Sequence, residues 1–500
     1  MTALRNNILA SYASQIYVAL LSILILPVYI ELLGSEAYGL VGFFTMLQAW
    51  FALLDLGLSP TISREMARYR GGKLSAEDFL RLYRALLLIF LSLGILGGGG
   101  VWYFSFELAT SWLNPENLNK IDVIFVIQII AFCVAFRWMA GLFRGILIGA
   151  ERLTNLSLIN ATIATLRFLG VIVTMYIWGA DIVVFFWHQL AVAVLEILII
   201  FMLSRVELPA AVNLNGPIGW SFRPIKSVLK FSLGIALTAT IWVMVTQVDK
   251  LILSGILSLE DYGYFSLCVI FAAGILTLST PVSAAIMPKM ANLFARSEVS
   301  KMTDVYRNCT QLVSVIAGTA AVFIAIYSEE ILYVWTGDIN VAENYSLVLT
   351  LYSAGYGILA VSAFPYYLQY AMGNLKYHVI GNVGTILVFI PSIVIASTSY
   401  GAVGAGWVWL TVHSIYFLFW VGYIHRKILP GFHIGWLFND VLRIYCPMSF
   451  AGILLSVTVS GIESRWALLF YLAMVGFLMI LISAISSTFV RRALILKFDY

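Results

Sequence analysis

Apolar stretches of roughly 20 residues or more, each long enough to cross a hydrocarbon layer as a helix, follow one another along the whole chain with short polar breaks between them. The pattern predicts fourteen spanning segments at about 8–33, 37–62, 85–105, 121–143, 155–178, 181–203, 229–257, 262–287, 309–334, 346–370, 377–399, 402–424, 441–461 and 467–489. The first lies behind Arg5 and exceeds the apolar core of a signal peptide, so it is expected to remain as a spanning helix. The second is expected to be continuous.

One stretch occurs twice. Tyr38-Gly39 recurs at Tyr262-Gly263, Leu54 at Leu278, Ser59 at Ser283, Ile62 at Ile286 and Met66-Ala67 at Met290-Ala291, all at one spacing and without a gap. A fixed offset across a whole apolar helix predicts a duplicated bundle. The expected organisation is an N-terminal bundle of segments 1 to 6 over residues 1–206, a linker at 207–228, a second bundle of segments 7 to 12 at 229–426, and an appended pair in 427–500. Pro209, Gly216 and Pro217 mark the linker.

Composition agrees with the pattern. Of 500 residues 61% are hydrophobic and 11% charged, and the mean hydropathy is +0.95; so little polar surface could not cover a water-soluble fold. Cys133, Cys268, Cys309 and Cys446 stand singly and predict neither a disulfide framework nor a metal site. No cofactor-binding or catalytic motif lies in a loop where it could act.

Charge adds orientation. With the N-terminus in the cytoplasm, the 29 Lys and Arg fall on the inner side except Lys120 and Arg465, which face out, and Arg137, Arg167 and Lys250, which lie within spans. Retention of basic residues on the cytoplasmic side during insertion favours this map, with both termini inside and an even number of spans. The net charge of +4 thus conceals a cationic inner face and an acidic outer one, and the basic loops require no nucleic acid.

Charges inside a bilayer are costly unless paired or hydrated, so they mark candidate chemistry. Arg167 lies deep in segment 5 with no evident acid at its level, which favours a water-filled cavity. Arg137 and Glu196 sit at comparable depths and could pair. Asp249 and Lys250 are adjacent, pointing about 100° apart, and Lys250 could snorkel to the interface. Asp55 could meet an arginine of the following loop, such as Arg64. His188, level with Arg167, could titrate, although packing is the commoner role of such a histidine; His378 and His413 are weaker candidates. Polar residues concentrate in segments 1, 2 and 7: Asn7, Ser11, Ser14, Gln15 and Ser22; Thr45 and Gln48; Ser232, Thr238, Thr240, Thr246 and Gln247. They read either as glue between helices or as the wall of a polar cavity.

Four features carry a resemblance to a known family. They are LGSEAYGLVGFF with LDLGLSPTISREMARYR, FRGILIGAERLTNLSLIN, VDKLILSGILSLEDYGYFSL, and the fourteen-segment layout. The chain resembles the bacterial polysaccharide-transport proteins, flippases of lipid-linked oligosaccharides such as the O-antigen unit, related to multidrug and toxin extrusion (MATE) transporters and to the peptidoglycan-precursor flippase. The resemblance implies an all-α integral membrane protein of the bacterial inner membrane, with two pseudo-symmetric six-helix bundles plus two C-terminal helices, working by alternating access. It implies a polyprenyl-pyrophosphate-linked glycan as substrate, with membrane lipids and polysaccharide polymerase machinery as partners and no cofactor. On this reading Arg137, Arg167, Gln15 and Gln48 are the substrate contacts, and Asp55, His188, Glu196, Asp249 and Lys250 the ion-coupling candidates. The first segment carries no intramembrane arginine, a departure from some relatives. Two other classes stay open: a MATE-type cation-coupled antiporter for small molecules, which would want an acidic cavity, and a membrane glycan polymerase or ligase, which would want a sizeable outer loop or an acidic metal motif.

Overall fold

The computed structural model describes residues 2–113, 115–209, 223–459, 462 and 464–492. The described residues are helical throughout, without a strand. Among the described residues twelve helices are long and apolar enough to cross a membrane, so the protein is a multi-pass membrane protein. Helices are the form such a chain must take, because backbone groups in hydrocarbon have no water to bond and helices satisfy them within the segment.

The chain packs as two compact units, residues 1–263 and 264–500. Unit 1 begins with α1 (Thr2–Leu24, continued by Leu26–Leu33), α2 (Ser35–Phe51) and α3 (Leu58–Arg70). It continues with α4 (Ala76–Tyr103), α5 (Lys120–Gly149), α6 (Leu153–Trp178), α7 (Ile182–Glu207), α8 (Arg223–Ser254) and the first turn of α9 (Leu259–Ala295). Unit 2 holds the rest of α9, then α10 (Val299–Ile326), α11 (Ser328–Thr336), α12 (Ile339–Ser362) and α13 (Phe364–Ala371). It ends with α14 (Lys376–Ile428), a helical stretch at 432–456 (α15), and α16 (Arg465–Ser486). The expected linker falls largely on 210–222, outside the described residues.

Caps set several helix starts and carry them beyond the apolar windows. Ser75 accepts from the Asp78 N–H at 3.1 Å and starts α4 well before its apolar run, while Asn119 and Asp181 accept from Ile121 and Val183 to start α5 and α7. One break was not legible as such. The expected continuous segment 37–62 ends in a 3-10 turn at Ala52–Asp55, after which Leu56 (φ 47°) and Gly57 (φ 72°) are both left-handed. Asp55 closes this break by accepting the Ser59 N–H (3.1 Å) and hydroxyl (2.6 Å). Gly401, at φ 55° and ψ −139°, interrupts α14 where the sequence pattern separates the segments 377–399 and 402–424.

Close backbone approach shapes unit 1. On α5, Gly141, Gly145 and Gly149 form a stripe against α3, where a Cβ on Gly145 would lie 2.7 Å from the Ser59 carbonyl oxygen. Gly39 of α2 lies on the Leu259 backbone, and Gly263 lies on the Ser35 backbone. The buried Glu36 carboxylate accepts the N–H groups of Glu116, Asn117 and Leu118 and so fastens the loop after α4.

In unit 2 a buried carboxylate ties α15 to α10. Asp440, fully buried, accepts from Arg307 Nε at 2.7 Å and from Gln311 Nε2 at 2.6 Å. The Gln311 carbonyl oxygen in turn accepts from Ser487 and the Phe489 N–H.

Candidate functional site

Two helices that run in the same direction place the polar groups of unit 1. α5 and α7 pack side by side with a constant offset of 52 residues: Arg137 Nη2 donates to Gln189 Oε1 at 2.9 Å, and Arg144 Nη2 donates to Glu196 Oε1. The two rungs are seven residues apart on each helix, two turns, or about 10 Å. Arg137 sits about 25 Å along a helix about 45 Å long, near mid-span.

The other partners come from neighbouring helices. Gln48, in the last turn of α2, accepts from Arg137 Nη1 at 3.1 Å, and the guanidinium lies 4.9 Å over the Phe44 ring. Asn160 of α6 accepts from Arg144 Nη1 at 2.7 Å. Arg167, also of α6, donates through Nη2 to Glu196 Oε2 at 2.9 Å.

This geometry corrects two expectations. Arg137 and Glu196 do not pair, because the residue level with Arg137 is Gln189 and the acid lies one heptad farther along. Arg167 does have an acidic partner. Counting depth from segment ends missed it because segment 6, here α7, enters with its own offset against α6. Arg144, assigned to the inner surface, lies inside the cluster with its side chain 29% exposed. Gln189 and Asn160 were missed as well. A legible signal existed, since Arg137 and Arg144, and likewise Gln189 and Glu196, each repeat at heptad spacing within apolar helices.

α6 widens to a π-helical turn at Leu166–Gly170, around Arg167. Such a turn displaces carbonyls from the ordinary ladder and is frequent at functional sites. Its oxygens find side chains: His188 Nε2 on Leu166 (2.9 Å), Gln189 Nε2 on Arg167 (3.1 Å) and the Tyr29 hydroxyl on Phe168 (2.8 Å). A carbonyl can only accept, so His188 carries hydrogen on Nε2, and in its neutral form Nδ1 accepts from the Thr174 hydroxyl at 2.7 Å. His188 therefore holds the turn that aims Arg167. Replacing it with Leu is expected to strip the Leu166 carbonyl of its side-chain partner, leaving Thr174 on the Gly170 carbonyl, and to cost about 1–3 kcal/mol, read as a lower thermal midpoint of the detergent-solubilised protein.

The remaining candidates are dispersed. Gln15 is exposed on α1, away from the hydrogen bonds of the cluster. Asp55 caps α3 and does not meet Arg64, which lies 3.9 Å from Glu65. Lys250 does not snorkel; it is 9% exposed, donates to the Thr246 carbonyl and lies 3.5 Å from Asp249. Adjacent side chains on a helix diverge, but the lysine stem is long enough to fold back. Much of the polar load of α1, α2 and α8 joins helices: Ser14 donates to the Ser157 carbonyl, Tyr17 meets Thr165, and Thr61 meets Ser232. The Asn7 side chain lies outside the described residues.

Three guanidinium groups and one carboxylate thus form one cluster in unit 1, leaving a surplus of two positive charges. Arg137 is held by two neutral amides, and among the described residues the buried Nε atoms of Arg137 and Arg167 have no hydrogen-bond partner. Planar forks with spare donors suit an anion that presents paired oxygens.

The comparisons with known proteins follow the same direction. Residues 4–294 match the family model described as polysaccharide biosynthesis protein. A protein of Salmonella typhi described as an O-antigen transporter is 24% identical over 59% of this chain and 66% of its own length. A Shigella flexneri protein of the same description is 20% identical over 83% of this chain and 92% of its own. Among solved structures, the lipid II flippase MurJ in an inward closed conformation superposes with a TM-score of 0.69 at 15% identity, covering 96% of this chain and 98% of that one. An inward-facing MATE family multidrug resistance transporter gives 0.66 at 16% identity, covering 83% and 98%. At such identities the likeness is one of fold.

Proposed function

Since the chain belongs to the polysaccharide biosynthesis protein family, we propose that it is a flippase moving a polyprenyl-pyrophosphate-linked oligosaccharide from the cytoplasmic to the outer leaflet for cell-surface polysaccharide assembly. The observation that carries this reading is the surplus of positive charge around Arg137, Arg144 and Arg167 within a membrane-spanning bundle. The diphosphate and sugars of such a substrate cannot cross hydrocarbon, and a hydrated site with cationic forks lowers that barrier while the polyprenyl tail stays in lipid. The relatives described as O-antigen transporters support the substrate class.

The transporter works by alternating access with fourteen helices. Twelve spans become fourteen when α14 is counted as two on either side of Gly401 and α15 is added. Two pseudo-symmetric halves, 1–206 and 229–426, are supported by the reciprocal contacts of Gly39 on Leu259 and Gly263 on Ser35, because Leu259 stands to Ser35 at the spacing that separates Gly263 from Gly39. Residues 207–228 then link the halves, 427–500 form the appended pair, and both termini face the cytoplasm. Arg137, Arg167 and Gln48 contact the headgroup, with Gln15 farther along α1. Coupling to an ion gradient falls to the titratable groups within spans: Asp55, His188, Glu196, Asp249 and Lys250. Polymerase machinery receives the flipped unit.

A MATE-type antiporter of cationic drugs is the second reading, favoured by fold alone; a cationic cluster would repel its substrates. Proteoliposomes containing the pure protein and a fluorescent polyprenyl diphosphate-linked oligosaccharide test both. Exposure of the sugar to an impermeant oxidant on the far leaflet is expected, with no ethidium transport. The reverse outcome would establish the antiporter.

A further inference from the structure

Glu196 is 2% exposed, and both of its oxygens are engaged, one by Arg144 and the other by Arg167. A carboxylate and a phosphate offer a guanidinium fork the same two-acceptor edge. Part of the place a phosphate would take on Arg167 is therefore filled by the chain itself. Arg137, by contrast, is bonded to the neutral Gln48 and Gln189 amides.

We propose that Glu196 is the internal counter-anion of the empty substrate site: it neutralises Arg167 when no substrate is bound and yields it to the substrate diphosphate on loading. This rests on the reading of the cluster as a diphosphate site. Arg144 keeps the carboxylate throughout, anchored by Asn160 at 2.7 Å, so Glu196 is never left as an unpaired buried charge. The physical need arises from the transport cycle. A carrier must return empty, and three uncompensated guanidinium groups within a membrane-spanning bundle would each be costly. One built-in carboxylate lowers the surplus to two, near the charge that a diphosphate diester brings. The same competition weakens binding, which permits release on the far side.

Binding of a radiolabelled long-chain polyprenyl diphosphate to the full-length protein in nanodiscs tests the proposal, with Glu196→Gln and Arg137→Ala alongside. Removing the competing anion is expected to tighten binding roughly tenfold, whereas a merely structural carboxylate would lose affinity on replacement. Arg137→Ala is expected to weaken binding by at least about tenfold. Unchanged or weaker binding by Glu196→Gln, with Arg137→Ala still impaired, overturns the counter-anion role and leaves the diphosphate site standing. Equal binding by all three proteins overturns the site and the proposal together. A second readout needs no variant: transfer of Arg167 from Glu196 to the probe shifts the carboxylate stretching bands in the infrared difference spectrum of the wild-type protein. Unshifted bands at saturation overturn the proposal even where Glu196→Gln does not fold.

Discussion

Arg167→Ala is expected to abolish export of the lipid-linked glycan while the protein stays in the membrane at its normal level. Removing the guanidinium leaves Glu196 on Arg144, so no buried charge is orphaned and the bundle has no reason to unfold. The surplus of positive charge falls by half, and the fork aimed by the π-helical turn is lost. Arg167→Lys restores the charge as a point on a flexible stem without the planar pair of donors, and partial rescue is expected. The measurement is surface glycan in a deletion strain complemented by each variant, with membrane levels read by immunoblot. Full export by Arg167→Ala at normal expression would remove this residue from the site.

Gly145→Val is expected to remove most of the folded protein. Its Cβ would meet the Ser59 carbonyl oxygen at 2.7 Å and Ile62 Cγ2 at 2.6 Å, one of them backbone that cannot yield by changing rotamer. Relief requires α5 and α3 to separate. Overpacking a core costs roughly 1–3 kcal/mol and more when backbone must move, and separation here also displaces the α5 face that carries Arg137 and Arg144. Gly99→Val is the matched control, since nothing lies within 4 Å of a Cβ there. Fluorescence-detected size-exclusion of the solubilised proteins should show a monodisperse peak for Gly99→Val and its loss for Gly145→Val. Equal peaks would show that the stripe is not a tight contact.

The helical, multi-span character of the chain was legible because hydrocarbon imposes it: a run of apolar residues in lipid has one economical way to satisfy its backbone. The intramembrane charges were legible as sites of interest for the same reason. Which of them touch was another matter. Arg137 and Glu196 looked level by counting from segment ends, yet helix tilt and start shift each helix along its neighbour by several residues, and one heptad of shift exchanges Glu196 for Gln189 as the partner of Arg137. Asp55 and Lys250 were misread similarly. A side chain's nearest hydrogen-bond partner within its own chain segment, the Ser59 N–H and hydroxyl donors for Asp55 and the Thr246 carbonyl acceptor for Lys250, outcompetes a partner that must be reached across a loop or at the interface.

From its sequence alone this protein is a bundle of apolar helices with a few charges that cannot face lipid, since transfer of a residue into hydrocarbon depends mainly on the residue itself. Tertiary structure decided that Arg144 and Arg167 share Glu196 while Arg137 stands on two amides, and that α2 breaks before α3. Those outcomes depend on how one helix is offset against the next, a quantity set by the side chains of both helices together and written in neither.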